Sequence, residues 1–243
     1  MGLGQLIPQR PKQIIKRWLT PTLGLRPQLC VPRQAHGALD GLWIICPRGL
    51  REDSIVYSLG VGTDISFDLS LIEVFGLNVW AFDPTPKSLR WLEGQVLPQE
   101  FHIVPAGIAD YDGQATFAPP IDPQHVSHTM LDRPQTADQA ITVEVKTLNT
   151  ILCALGHNRI DLWELDTEGA EYAVLDAMLG SPLRPSQLLV EFHHRFPGVG
   201  LNRTKRVIRK LNAAGYRLFH VSHTEMEFSF LHESVLSAVE VSR

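Results

Sequence analysis

Two sets of residues in this 243-residue chain have the types and spacing to do chemistry. The first is built on Gly60 and Gly62 in the segment Tyr57-Ser58-Leu59-Gly60-Val61-Gly62-Thr63-Asp64. Glycines spaced by one residue, between an apolar run and an amphipathic one, let backbone come close to a ligand at the carboxyl edge of a sheet. The dinucleotide fingerprint needs a further glycine at position 65, where Ile65 stands, so a ligand without a pyrophosphate is expected. Asp83, followed by Pro84, comes 23 residues after Gly60 at the end of the next apolar run. A carboxylate there accepts both hydroxyls of a ribose, and the pairing of glycine loop and acid favours this over a simple helix cap. Gly107-Ile108-Ala109-Asp110 then frames a base with apolar backbone and one acceptor, although Asp110 also suits a plain turn before Asp112-Gly113.

The second set is acidic and imidazole-bearing: Asp166 and Glu168 after one apolar run, Glu191, His193 and His194 after another. Charged groups that end buried strands are costly unless paired or used. Alternation places Glu164 with Asp166, and Glu191 with His193, on common faces. Asp166, beside the nucleoside site, is assigned to ligand contact or catalysis. His193, neutral near pH 7, is the general-base candidate, with Glu191 or Asp166 orienting it; a hydrogen-bonded structural histidine is the competing reading. Asp166, Glu191 and His193 also have the donor chemistry for Mg²⁺ or Mn²⁺, but a divalent metal is not favoured and no metal ligand is assigned. Glu168 equally serves a helix dipole, and Glu171 reads as a surface acid or a core-facing acceptor.

These groups need a scaffold of alternating strands and helices. Ile55 to Leu59 is a short β-branched run stopped by Gly60, and Ile65 to Phe75 has apolar residues at helical spacing with Gly76 as its stop. Further strands are expected over Asn78 to Phe82, Phe101 to Val104, Ile160 to Leu165 and Gln187 to Phe192, with shorter ones over Gln114 to Phe117 and Ile141 to Val145. Helices are expected over Lys87 to Glu93, with Pro86 at the first turn, and over Leu148 to Leu155, Ala170 to Leu179 and Thr204 to Ala214. Tyr216 to His220 and Glu227 to Leu231 form a C-terminal hairpin. The pattern is α/β, a mainly parallel sheet covered on both faces.

Composition bounds the rest. With 44% hydrophobic residues and a net charge of -4, the chain is one ordinary globular unit and not a general nucleic-acid binder. Cys30, Cys46 and Cys153 are scattered, which points to reduced thiols and a cytoplasmic location. No apolar stretch spans a bilayer. Residues 1–50 form a basic, proline-rich extension or cap with a short helix near Gln13 to Leu19, and weak membrane-surface contact is its alternative role. Residues 51–243 form the domain proper. The polar loop Pro119 to Gln139, with His125, His128, Asp132 and Arg133, is expected to shape a pocket. Arg195, Arg203, Lys205, Arg206 and Arg209 read as a solvated face.

Several of these segments resemble a known family. Ser58-Leu59-Gly60-Val61-Gly62, Ala81-Phe82-Asp83-Pro84-Thr85-Pro86, the block Ile160-Asp161-Leu162-Trp163-Glu164-Leu165-Asp166-Thr167-Glu168-Gly169-Ala170-Glu171, and Val190-Glu191-Phe192-His193 are similar to the FkbM-type S-adenosylmethionine-dependent methyltransferases. Leu42-Trp43-Ile44-Ile45-Cys46-Pro47 is similar to their methyltransferase-like branch. The resemblance covers roughly residues 42 to 220, and Asp-x-Glu-Gly-x-Glu is its most specific part. It implies a Rossmann-like, seven-stranded class I fold, S-adenosyl-L-methionine as cofactor, and a hydroxyl on a sugar, glycan or secondary metabolite as acceptor.

Transfer from a sulfonium is an in-line displacement that needs near-attack geometry and removal of one proton. The expected function is O-methylation of a small-molecule or glycan hydroxyl. Methylation of a protein or other macromolecule, and a non-catalytic nucleoside-binding module, are the alternatives. Nucleic acid is disfavoured by the acidic balance and by Asp166-Thr167-Glu168-Gly169 at the fourth strand, where an Asn/Asp-Pro-Pro-Tyr/Phe block would be needed. Two departures matter: Ser58 stands where the wider class often has an acid, and Asp64 where it often has a third glycine. Asp64 is therefore expected to recognise the methionine ammonium. The donor-binding set is Ser58, Gly60, Val61, Gly62, Asp64, Asp83, Pro84, Ile108, Ala109, Asp110 and Asp166.

Overall fold

The structure, a computed structural model, describes residues 23–38, 41–120, 128–131 and 133–238. The expected helix near Gln13 to Leu19, and His125 and Asp132 of the polar loop, lie outside these residues. The chain opens with a small antiparallel pair, β1 (Gln34–His36) and β2 (Trp43–Ile45). Then come β3 (Ile55–Leu59), α1 (Ser66–Phe75), β4 (Asn78–Phe82), α2 (Pro86–Glu93) and β5 (Phe101–Val104). A three-stranded side sheet is formed by β6 (Gly107–Ala109), β7 (Gly113–Phe117) and β8 (Ile141–Thr147). The second half runs through α3 (Leu148–Leu155), β9 (Leu162–Leu165), α4 (Glu171–Gly180), β10 (Gln187–Glu191), α5 (Leu201–Ala213), β11 (Tyr216–Val221) and β12 (Glu227–His232).

The main sheet has seven strands in the order β11-β12-β10-β9-β3-β4-β5. Every neighbouring pair is parallel except those made by β12, which runs against both β10 and β11. Strict alternation sends residues to two cores. Tyr57, Leu59, Phe82, Trp163, Leu165, Leu188 and Val190 meet α3, α4 and α5 on one face. Val56, Val79, Ala81, Leu162 and Leu189 meet α1, α2 and the β1–β2 pair on the other. Strands buried on both faces explain why the sequence shows apolar runs there instead of polar alternation.

The elements expected among the described residues all form, with ends shifted by at most three residues, the largest shift at α5, which begins at Leu201. Strands β1, β2 and β6 were not expected as strands. Residues of the proline-rich extension pack onto the domain: Ile45 is fully buried, and Cys46 exchanges two backbone hydrogen bonds with the Gln187 side-chain amide of β10, at 3.0 and 2.7 Å. Beside β11, Gln28 and Leu29 donate their N–H groups to the Leu218 carbonyl, and Gln28 Oε1 accepts from Leu218 N–H. The β11–β12 register also slips between Leu218 and His220. No helix among the described residues is long and apolar enough to cross a membrane.

Candidate active site

The topology reverses between β3 and β9, and the crevice that opens beyond their carboxyl ends is where open α/β sheets take ligands. A cleft lies there, lined by Gly60 to Thr63, Phe82 to Thr85, Gly107, Ile108, Phe117, His128, Met130 and Asp166 to Glu168. Gly60 holds φ 87° and Gly62 φ 58°, left-handed values that suit glycine. The Gly60 N–H bonds the Phe82 carbonyl, and a methyl group on its Cα would stand 1.7 Å from the Asp166 carbonyl oxygen.

Asp83, buried at the end of β4, holds this loop. Its Oδ2 accepts the Gly62 N–H at 2.9 Å, and its Oδ1 accepts the Thr85 N–H at 2.8 Å and hydroxyl at 2.6 Å. The carboxylate therefore ties the glycine loop to the start of α2, and Oδ2 has capacity for one further hydrogen bond. Ile108 and Pro84 form part of an apolar wall with Phe117 and Met130. The long polar loop does border the cleft through His128 and Met130, and the Thr129 hydroxyl donates to the Glu168 carbonyl.

Four of the expected donor-binding residues are placed elsewhere. Ser58 is buried beneath the loop, where its hydroxyl donates to Glu164 Oε2 at 3.1 Å. Asp64 is exposed, does not line the cleft, and accepts the Ser66 N–H of the first turn of α1 at 2.8 Å. Ala109 and exposed Asp110 line a separate cleft with Thr147, Leu152 and Pro182. That follows from β6 pairing with β8, which turns the end of the Gly107 to Asp110 segment away from the sheet.

The second set of groups does converge. His193 Nε2 stands 3.6 Å from Asp166 Oδ1, 3.6 Å from Glu168 Oε2 and 3.8 Å from Glu191 Oε1. Its ring is only 3% exposed. Behind it, fully buried Glu171 accepts the His193 N–H at 2.9 Å and the Gly169 N–H at 2.7 Å, with Oε1 3.5 Å from His193 Nδ1. Glu168 sits at φ 50°, a strained value for a side-chain-bearing residue, which aims its carboxylate at this group.

Electrostatics changes the role expected of His193. Burial alone lowers the imidazole pKa, but Glu171, Asp166 and Glu168 outweigh it and lift the value to about 9. A charged imidazolium donates, so as the group stands His193 is not a base at neutral pH. Burial, then the charge of neighbouring acids, pushes Asp166 well up, and burial raises Glu191 to about 7 against the opposing pull of His193.

A third acidic group was missed in the sequence. Glu164 accepts the Ser58 hydroxyl and the Leu59 N–H under the glycine loop, and Asp68 of α1 is buried beside it. The spacing of Asp68 with Leu71, Ile72 and Phe75 puts it on the apolar stripe of α1, a signal that marks a buried acid. Burial raises Asp68 from 3.8 to about 7, with the Ser58 hydroxyl acting the other way. A folded value above the unfolded one makes its stability contribution complete below 3.8 and lost as pH rises through about 7. Asp68→Asn, which cannot ionise, is therefore expected to exceed the wild type in urea melts at alkaline pH by up to about 3 kcal/mol, the gap closing as pH falls toward 4. A gap that stays constant with pH would show that Asp68 is ionised in the fold.

Residues 47–218 match the family model described as "Methyltransferase FkbM domain". The chain is 27% identical over 176 residues to "Probable methyltransferase-like protein 24" of Homo sapiens, covering 68% of this chain and 42% of that protein. The Rattus norvegicus protein of the same name matches at 27% over 177 residues, with the same coverage. The chain thus spans about two fifths of the length of the curated relatives it matches. Among solved structures, the methyltransferase FkbM from Methylobacillus flagellatus KT aligns with a TM-score of 0.47 at 14% identity, over 75% of this chain and 44% of that one. Aeropyrum pernix fibrillarin with bound S-adenosyl-L-methionine aligns with a TM-score of 0.41 at 11% identity, over 75% and 66%. The family match covers the glycine loop, Asp83, the Asp166 to Glu171 block and His193 in one continuous segment, and the chain belongs to the FkbM methyltransferase domain family.

Proposed function

We propose that this chain transfers the methyl group of S-adenosyl-L-methionine to a hydroxyl of a small molecule or glycan. The observation that carries the reading is one residue shared by two sites: Asp166 lines the cleft beside Gly60 and also faces His193 and Glu191. In this reading Gly60, Val61 and Gly62 take the methionine side of the donor. Asp83 accepts one ribose hydroxyl through the free lone pair of Oδ2, and Pro84, Ile108 and Phe117 hold the base. The acceptor approaches from the side of Glu191, where a carboxylate raised to about 7 takes the hydroxyl proton and His193 balances the charge.

The lining supports a neutral acceptor. Asp166, Glu168 and Glu191 gather on the acceptor side, and no Lys or Arg lines the cleft among the described residues. A phosphate-bearing acceptor, nucleic acid included, meets repulsion there. Two basic residues of α5 are engaged away from it: Arg203 lies over the Tyr172 ring and Lys210 pairs with Asp176. The direct test is incubation with S-adenosyl-L-methionine and a panel of sugars and glycosides, read by mass spectrometry for a gain of one methyl group. Donor binding with no product on any hydroxyl acceptor would instead favour the nucleoside-binding module.

The donor half has its own test. Asp83→Ala removes a carboxylate acceptor from a ribose hydroxyl and unties Gly62, so donor affinity measured by calorimetry should fall 30-fold or more, roughly 2–3 kcal/mol. Affinity within threefold of the wild type would remove Asp83 from the ribose role.

A further inference from the structure

We propose that Asp166, Glu191 and His193 form a binding site for one divalent transition-metal cation, with Mn²⁺ the ion whose chemistry fits best. One ligand atom from each of these residues lies within 4.8 Å of the others. A cation bound at about 2.0–2.3 Å holds neighbouring octahedral ligands roughly 3 Å apart and opposite ones roughly 4.5 Å apart. The separations of 3.6 and 3.8 Å from His193 Nε2 to Asp166 Oδ1 and Glu191 Oε1 fall inside that range and outside hydrogen-bonding reach.

A second observation points to a ligand. The covered Asp166 Oδ1 has no hydrogen-bond partner, and it stands 3.6 Å from Nε2 of a His193 ring whose side chain is only 3% exposed. Buried polar atoms are normally partnered, and Asp166 Oδ1, His193 Nε2 and Glu191 Oε1 gather around a common space. One cation there satisfies Asp166 Oδ1 together with His193 Nε2 and Glu191. It also supplies positive charge to a group in which Asp166, Glu168, Glu171 and Glu191 surround a single imidazole.

The donor set selects the ion. Carboxylates suit Mg²⁺, Ca²⁺ and Mn²⁺, and an imidazole nitrogen shifts the preference toward Mn²⁺. Glu171 stands behind the ring near Nδ1, the place where a carboxylate fixes the tautomer of a ligating histidine. Three protein ligands leave positions for water or an oxygen of the acceptor, whose proton a bound cation makes easier to remove. This last role rests on the methyl-transfer reading; the site itself does not.

The test is a titration of chelator-treated, dialysed full-length chain with Mn²⁺ alone, following loss of the six-line electron paramagnetic resonance signal of the free ion. One equivalent per chain is expected, with a Kd on the order of 1–100 µM. Glu191→Gln and His193→Gln should each weaken binding 10-fold or more, Glu171→Gln should do so through the ring, and Asp110→Asn in the separate cleft should not. No binding by the wild type up to about 1 mM overturns the proposal, a result that does not depend on whether any variant folds. Equal binding by wild type and the Glu191 and His193 variants overturns it as well. Donor affinity measured on the same samples separates the two readings: donor binding without Mn²⁺ binding sinks the metal site alone, and Mn²⁺ binding without donor binding sinks the transfer reading alone.

Discussion

Glu191→Gln is expected to lower kcat by roughly 10²–10⁴-fold while leaving the affinity for S-adenosyl-L-methionine within about threefold. The reason for the split is positional. Glu191 ends β10 and does not line the donor cleft, whereas it sits 3.8 Å from His193 on the acceptor side. The amide keeps the size of the carboxyl group and cannot accept a proton. A kcat within fivefold of the wild type, measured at saturating donor, would take Glu191 out of the transfer step. Asp166→Asn makes a useful comparison because Asp166 belongs to both halves, so both donor affinity and kcat should fall.

Gly60→Ala should be the most damaging single change to the fold. Its φ of 87° is unfavourable for alanine, and the added carbon would stand 1.7 Å from the Asp166 carbonyl oxygen and 2.8 Å from the Asp166 carbonyl carbon. Backbone cannot rotate away as a side-chain tip can, so β3 and β9 would have to part where Asp166 N–H bonds the Leu59 carbonyl. A loss of about 3 kcal/mol or more in urea unfolding is expected, together with loss of donor binding. Gly156→Ala is the control: φ is 70°, with no atom within 4 Å of the added carbon, so only the backbone penalty of about 1 kcal/mol applies. Equal losses at the two positions would mean that the close approach of Gly60 to Asp166 is not what holds the loop.

How far the sequence reaches can be seen residue by residue. The order of strands and helices follows from periodicity and from glycine stops such as Gly76 and Gly156, both of which close helices in the left-handed conformation. Gly60, Val61, Gly62, Asp83, Pro84 and Asp166 reach the cleft because each lies at the end of, or just after, a strand whose direction the pattern already sets, and Ile108 reaches it from β6. Ser58 and Asp64 do not, since one residue further in or out along a strand or loop changes the face a side chain takes. Asp110 is lost for a different reason: the side sheet that redirects it depends on pairing with β8, where Ala109 meets Thr147, which local patterning does not reveal. Glu171 was legible only as a core-facing option. Its importance comes from reaching the His193 N–H across two strand ends, a contact between residues 22 apart.

The treatment of the sheet margin at β11 also has a bearing on how the chain behaves in solution. An open strand edge is a template on which another chain can lay a strand. Here the slip in register at Leu218 twists the ribbon, and the main chain and side-chain amide of Gln28 occupy the hydrogen-bonding groups of Leu218. Those few bonds, made by a stretch with no regular structure of its own, withhold a nucleus for self-association from a surface otherwise suited to it.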